Sequence, residues 1–139
     1  MGERTLLLIK PCAVRRGLVG EIISRVEREG FKIVRGAFRR LTREEAERFY
    51  EVHKGEPFFP KLVEFITSGP VMGLELEAPD AIGRLRQLMG ATNPAEAAPG
   101  TLRALYGLDV TQNAVHGSDS PASARHELEV FFGGWPWPT

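Results

Sequence analysis

The stretch Asn113-Ala-Val-His-Gly-Ser-Asp-Ser120, with Pro121 behind it, decides how this chain is read. The apolar pair Ala114-Val115 leads into His116 and reads as the end of a strand, Asn113–His116. Gly117 lets the backbone turn where a side chain would obstruct it. Ser118, Asp119 and Ser120 ahead of a proline form a helix-start signal, because proline lacks the N–H that a first helical turn leaves unpaired. His116 is therefore expected between a strand and a helix N-terminus. Unpaired N–H groups and partial positive charge at such an end favour a phosphate.

Outward from this junction the elements follow in turn. Pro121–Phe132 reads as a helix with Ala124, Leu128 and Phe131 on one face. Residues 91–112 lack clear periodicity, and long irregular segments in compact domains tend to be functional. Pro79-Asp80 opens a helix carrying Ile82, Leu85 and Met89, which Gly90 ends. Met72, Leu74 and Leu76 alternate with Gly73, Glu75 and Glu77 as in a half-buried strand. Thr42 and Glu45 have capping-box spacing, and a second short helix runs from Phe58 to Ile66. Thr5–Ile9 is an unbroken apolar run, hence a buried strand. Leu18, Val19, Ile22, Ile23 and Val26 repeat at helical spacing up to Gly30, and Phe31–Leu41 is a strand. The expected fold is α/β (α+β): a ferredoxin-like βαββαβ antiparallel sheet with helices on one face and a long irregular loop before the last strand.

With 139 residues the chain is expected to be one domain, 1–139, with a core that needs no staples. Its 18 basic and 18 acidic residues cancel, which argues against a specific nucleic-acid or basic membrane binder. Cys12 is the single cysteine, so an internal disulfide is excluded and a reducing, cytoplasmic setting is compatible. The apolar run at Leu6–Ile9 is too short for a signal sequence or a membrane span. The two Trp-Pro pairs of the tail, Gly133–Thr139, are expected to pack on a surface or another subunit.

The octapeptide resembles the active-site signature of nucleoside diphosphate kinases. So do Ile9-Lys-Pro11, Arg16-Gly-Leu-Val-Gly-Glu-Ile22, Pro57-Phe-Phe-Pro60, Ser68-Gly-Pro70, Gly90-Ala-Thr-Asn-Pro94 and Pro99-Gly-Thr-Leu-Arg103, in family order. The resemblance implies transfer of a γ-phosphoryl from a nucleoside triphosphate to a histidine, and from there to a nucleoside diphosphate. It implies His116 as that histidine, with Tyr50 beside it and Ser118 and Glu127 orienting the ring. It implies Arg86, Thr92, Arg103 and His53 at phosphate-contacting positions, Phe58 and Val110 on either side of the base, and Lys10 and Asn113 at the sugar hydroxyls and the transferring phosphate.

Those residue types suit the chemistry. Phosphoryl transfer asks a protein mainly for positioning and charge stabilisation. Two arginines and a lysine supply charge, and Mg²⁺ carried by the nucleotide phosphates supplies more, with no metal ligand expected from protein side chains. A neutral imidazole is a competent nucleophile near neutral pH. Cys12 stands where the family usually has Asp, and Ala104-Leu-Tyr106 replaces a Gly-Asp-Phe type sequence. The resemblance implies a homo-oligomer, tetramer or hexamer, and the short tail after the last helix, a region through which family members partly assemble, leaves the oligomeric state open. The alternative is a catalytically weak nucleotide-binding regulatory or scaffold protein on the same fold.

Overall fold

A computed structural model describes residues 2–134. Four strands, β1 (Glu3–Ile9), β2 (Lys32–Arg39), β3 (Val71–Ala78) and β4 (Val115–Gly117), form one sheet in the order β2-β3-β1-β4. Every neighbouring pair is antiparallel. The central strand β1 explains the architecture. Leu6, Leu7, Leu8 and Ile9 are all 0% exposed, so both faces of the strand are covered. A strand buried on both sides reads as an apolar run rather than an alternation.

Helices α1 (Pro11–Arg15) and α2 (Val19–Arg28) connect β1 to β2. Between β2 and β3 lie α3 (Arg43–Phe49), a 3₁₀ turn at Glu51–His53, and α4 (Phe59–Ile66). Helix α5 (Ala81–Met89), a 3₁₀ turn at Pro94–Glu96 and α6 (Leu102–Tyr106) lead to β4, and α7 (Pro121–Phe132) follows. The ferredoxin-like core is as expected, but the expected one-sided layer of helices describes only α1, α2, α5 and α6. Ile22 and Val26 of α2 and Leu85 and Met89 of α5 pack with Leu7, Ile9, Leu74 and Leu76. On the opposite face Leu6 and Leu8 meet Phe49 of α3, Val63 and Ile66 of α4, and Val130 and Phe131 of α7. The second layer follows from β1: Leu6 and Leu8 would otherwise face water, at about 2 kcal/mol each. Gly73 admits this layer, because a Cβ there would collide with the Phe131 ring.

Three local differences follow from particular residues. Ala114 sits at φ 77°, which breaks the extended run, so the last strand begins at Val115 rather than Asn113. The segment expected to be irregular, residues 91–112, contains α6, whose first turn is capped by the Thr101 hydroxyl. Helix α1 is too short for any apolar period to reveal it. The capping box at Thr42 and Glu45 forms as the spacing predicts, and α7 has the expected bounds. The Trp-Pro pairs lie at residues 135–138, outside the described residues.

Candidate active site

His116 sits in the short edge strand β4, paired with Leu8 of β1. Alternation along β4 sends Val115 to the α2/α5 side and His116 to the α3/α7 side. There the ring packs edge-on against Phe49 at 5.1 Å and Tyr50 at 6.4 Å between centroids. Its Nε2 lies 2.8 Å from Glu127 Oε1, and the Ser118 hydroxyl donates to the same oxygen at 2.7 Å. Glu127 reaches back from α7, and its side chain is nearly buried. A carboxylate accepts only, so Nε2 carries the proton and Nδ1 keeps its lone pair. Ser118 and Glu127 thus hold the imidazole in one tautomer. Burial, followed by the Glu127 charge, pushes the Tyr50 phenol well above its usual range and keeps it neutral.

A second cluster is cationic. Lys10, 5% exposed, is the N-cap residue of α1. Its Nζ donates to Asn113 Oδ1 at 2.8 Å and to the Thr111 carbonyl at 3.4 Å. Asn113 in turn donates to the Thr92 and Val110 carbonyls, at 3.0 and 3.3 Å. This one buried amide joins four of the expected site positions. Burial first, and the charge of Arg103 second, lower the Lys10 pKa to about 8.

Arg103 is also buried, with Nη1 donating to the Gly90 carbonyl and Nη2 to the Val115 carbonyl, both at 3.0 Å. Its Nε has no partner. Burial and the neighbouring Arg86 charge bring its pKa down to about 10. Two buried cations repelling one another, one with an orphaned donor, describe a site built for an anion. Gly90 takes φ 84°, and a Cβ there would run into the Thr101 side chain, so the turn that offers its carbonyl to Arg103 requires glycine.

The outer wall is aromatic. Tyr50 and His53 lie 6.4 Å apart, and His53 and Phe58 5.4 Å apart, so the rings lead from His116 towards solvent. Phe58 and Val110 are 46% and 57% exposed, an unusual state for large apolar side chains. Val110 also lines a cavity of about 470 Å³ shared with Lys61 and Phe65 of α4. Phe58 does not line it. Arg86 and Thr92 are exposed, with no side-chain bond that fixes them. Asp119, part of the helix-start signal, accepts from the Ser123 hydroxyl at 2.6 Å, while Ser120 caps α7. The Ser123 bond, and the Arg86 charge after it, hold its carboxyl below the usual range. Phe49 packs against the His116 ring without having been marked by any motif, because ring stacking leaves no sequence signal apart from core burial.

Among the described residues no group of three or more His, Cys, Asp or Glu could hold a metal ion. A family model described as nucleoside diphosphate kinase matches residues 3–135. The chain belongs to the nucleoside diphosphate kinase family. A nucleoside diphosphate kinase of Heliobacterium modesticaldum is 58% identical over 130 residues, covering 94% of this chain and 87% of that one. One from Parafrankia is 54% identical over 95% of this chain and 96% of its own. Among solved structures, the Aquifex aeolicus nucleoside diphosphate kinase superposes with a TM-score of 0.93 at 46% identity, over 96% of this chain and 97% of that one. A halophilic nucleoside diphosphate kinase from Halobacterium salinarum, in complex with CDP, gives 0.92 at 46% identity, over 96% and 89% of the two chains.

Proposed function

We propose that this kinase moves the γ-phosphoryl of a nucleoside triphosphate to a nucleoside diphosphate through a phosphohistidine at His116. The observation that carries the reading is the Glu127–His116–Ser118 arrangement, which occupies Nε2 and leaves Nδ1 as the nucleophile. The Nδ1 lone pair forms the N–P bond as the bond from the γ-phosphorus to its bridging oxygen breaks. The departing nucleoside diphosphate takes the electron pair. Glu127 keeps the Nε2 proton in place and balances the positive charge that develops on the ring. The second half-reaction reverses these steps with another nucleoside diphosphate.

Lys10 and the unpaired Arg103 Nε stabilise the transferring phosphate, with Arg86, Thr92 and His53 on the phosphate chain and Lys10 and Asn113 at the sugar. Phe58 and Val110 flank the base, whose apolar slot reads a π-face and tolerates any base. CDP bound by the Halobacterium relative is consistent with that tolerance. Magnesium would be carried by the nucleotide phosphates and would there supply neutralisation of phosphate charge; Asp119, whose carboxyl feels the Arg86 charge, is the carboxylate that could help to hold it. Residues 1–139 act as one domain in this reading, and the buried Cys12 thiol suits a reducing, cytoplasmic setting.

The test is incubation with γ-labelled ATP and magnesium. An acid-labile, base-stable label appears on the protein, and ADP, GDP and CDP all discharge it at rates within roughly tenfold of each other. Absence of the label, or its persistence with every acceptor, rejects the reading. The scaffold alternative has nothing to favour it, given the intact His116–Glu127 pair and the orphaned Arg103 donor.

Self-association of this chain is part of the same proposal. Strand β2 lies at the sheet edge with Phe38 58% exposed, a surface that a second copy can cover. Sedimentation at micromolar concentration is expected to give a tetramer or hexamer, and a monomer there would reject it.

A further inference from the structure

Arg16 ends α1 and is exposed, with a side chain that the proposed chemistry does not use. Its guanidinium spans to the far side of the site, where Nη1 donates to the Tyr106 carbonyl at 2.5 Å. Tyr106 is the last residue of α6, three positions beyond Arg103. Five residues make α6 too short to hold itself together, since helices of that length are held by tertiary contacts. One of its open carbonyls is taken by the Gly107 N–H, from Arg103 at 2.8 Å, and the Tyr106 carbonyl is taken by Arg16.

The two ends of this tie lie on different arms of the site. Helix α1 has Lys10 as its N-cap and Arg16 as its C-cap, so Arg16 is fixed to the segment that carries Lys10. Helix α6 carries Arg103. Lys10 and Arg103 are buried cations that repel each other across the site, and the repulsion acts to spread the two arms whenever phosphate is absent. The bond from Arg16 opposes that spreading. The Tyr106 phenol also lies by Glu21 of α2: burial first, and the Glu21 carboxylate after it, push it up. Tyr106 is one of the positions at which the sequence departs from the usual Gly-Asp-Phe type segment, and its ring packs on the α2/α5 core.

We infer that Arg16 is a positioning residue: by clasping the end of α6 it holds Arg103 at the spacing from Lys10 that a nucleotide phosphate requires. This rests on the proposed role of Arg103 in phosphate binding. An ångström-scale displacement of such a group is worth up to about a hundredfold, and loss of one of several ties is expected to cost less.

The test is a double-mutant cycle read by ADP affinity, which needs no transfer step. Arg16→Ala is expected to weaken ADP binding roughly five- to tenfold while shifting the unfolding temperature by no more than about 3 °C, because the side chain is exposed. Arg16→Lys, which can still donate to the carbonyl, recovers at least half of that loss on a logarithmic scale. The pair Arg16→Ala/Arg103→Ala binds ADP no more weakly than Arg103→Ala alone, since a clasp has nothing left to position. Wild-type affinity in Arg16→Ala, or losses that multiply in the double variant, overturns the inference. Phosphohistidine formation is measured on the same wild-type protein. If ADP binds but no phosphohistidine forms, the proposed reaction fails while the cycle still judges Arg16.

Discussion

His116→Ala will abolish both labelling by γ-labelled ATP and transfer to a diphosphate, a fall of roughly 10⁴-fold or more, with the fold intact. Residues that act as one catalytic unit show losses of that order when the nucleophile is removed. Neither remaining histidine can replace it. His126 Nε2 is 2.7 Å from the Arg48 carbonyl and 3.4 Å from Glu51 on the outside of α7. His53 stands among Tyr50 and Phe58, with no carboxylate fixing its tautomer. Stability survives because the His116 side chain is 22% exposed and Ser118 still donates to Glu127 in the variant. The lost edge contact with Phe49 costs about 1 kcal/mol. Stoichiometric labelling of a folded His116→Ala protein would sink the assignment.

The His116 environment also shows what a sequence can and cannot disclose. The strand–His–Gly–helix junction was legible because glycine, small hydroxyl residues and proline have local backbone preferences. The same is true of the Thr42 capping box and of the strands rich in Leu and Val. The second helical layer was not legible from periodicity, although it carries side chains packed around His116. Phe49, Tyr50 and Glu127 reach His116 from α3, the turn after it, and α7. The unbroken apolar run Leu6–Ile9 held that information, because a strand with no polar face must be covered twice. Other features are invisible for a different reason: they depend on residues distant in sequence. Glu3 Oε1 takes the Ile82 N–H at 2.9 Å and so caps α5 in place of the adjacent Asp80. Arg103 is oriented by two backbone carbonyls, at Gly90 and Val115. A backbone acceptor has no residue type, so no motif marks it. The choice of imidazole nitrogen was open for the same reason, until the side of the ring that meets Glu127 was known.

Lys10→Met separates stability from activity, with effects of opposite sign. The activity side is the larger. Lys10 Nζ has three N–H groups, and two are committed to Asn113 Oδ1 and the Thr111 carbonyl. The third donor and the full charge remain for the phosphate and sugar oxygens. Removing one preorganised donor at a site of developing charge costs about 10²–10³ in turnover, and that loss is expected here. The stability side follows from burial. The Lys10 pKa falls from 10.5 to about 8, so at pH 7 the folded chain holds a charge it would be more stable without. That penalty is on the order of 3 kcal/mol. Methionine, unbranched and of similar length, removes it but leaves the buried Asn113 Oδ1 without a donor, at about 1–3 kcal/mol. The variant should therefore unfold at pH 7 no earlier than the wild type. Between about pH 8 and 10.5 the unfolded lysine keeps a proton that the folded one has released. Wild-type stability therefore rises through that window relative to the variant, and any advantage of methionine fades. The wild type should also lose ADP affinity above about pH 8, as Lys10 becomes neutral, and the variant should not. Thermal unfolding and ADP binding, each at pH 7 and pH 9.5, read both effects. Transfer above a tenth of wild type would remove Lys10 from the chemistry. A lower unfolding temperature at pH 7, together with a gap that does not change with pH, would show that the lysine is not held there at a cost.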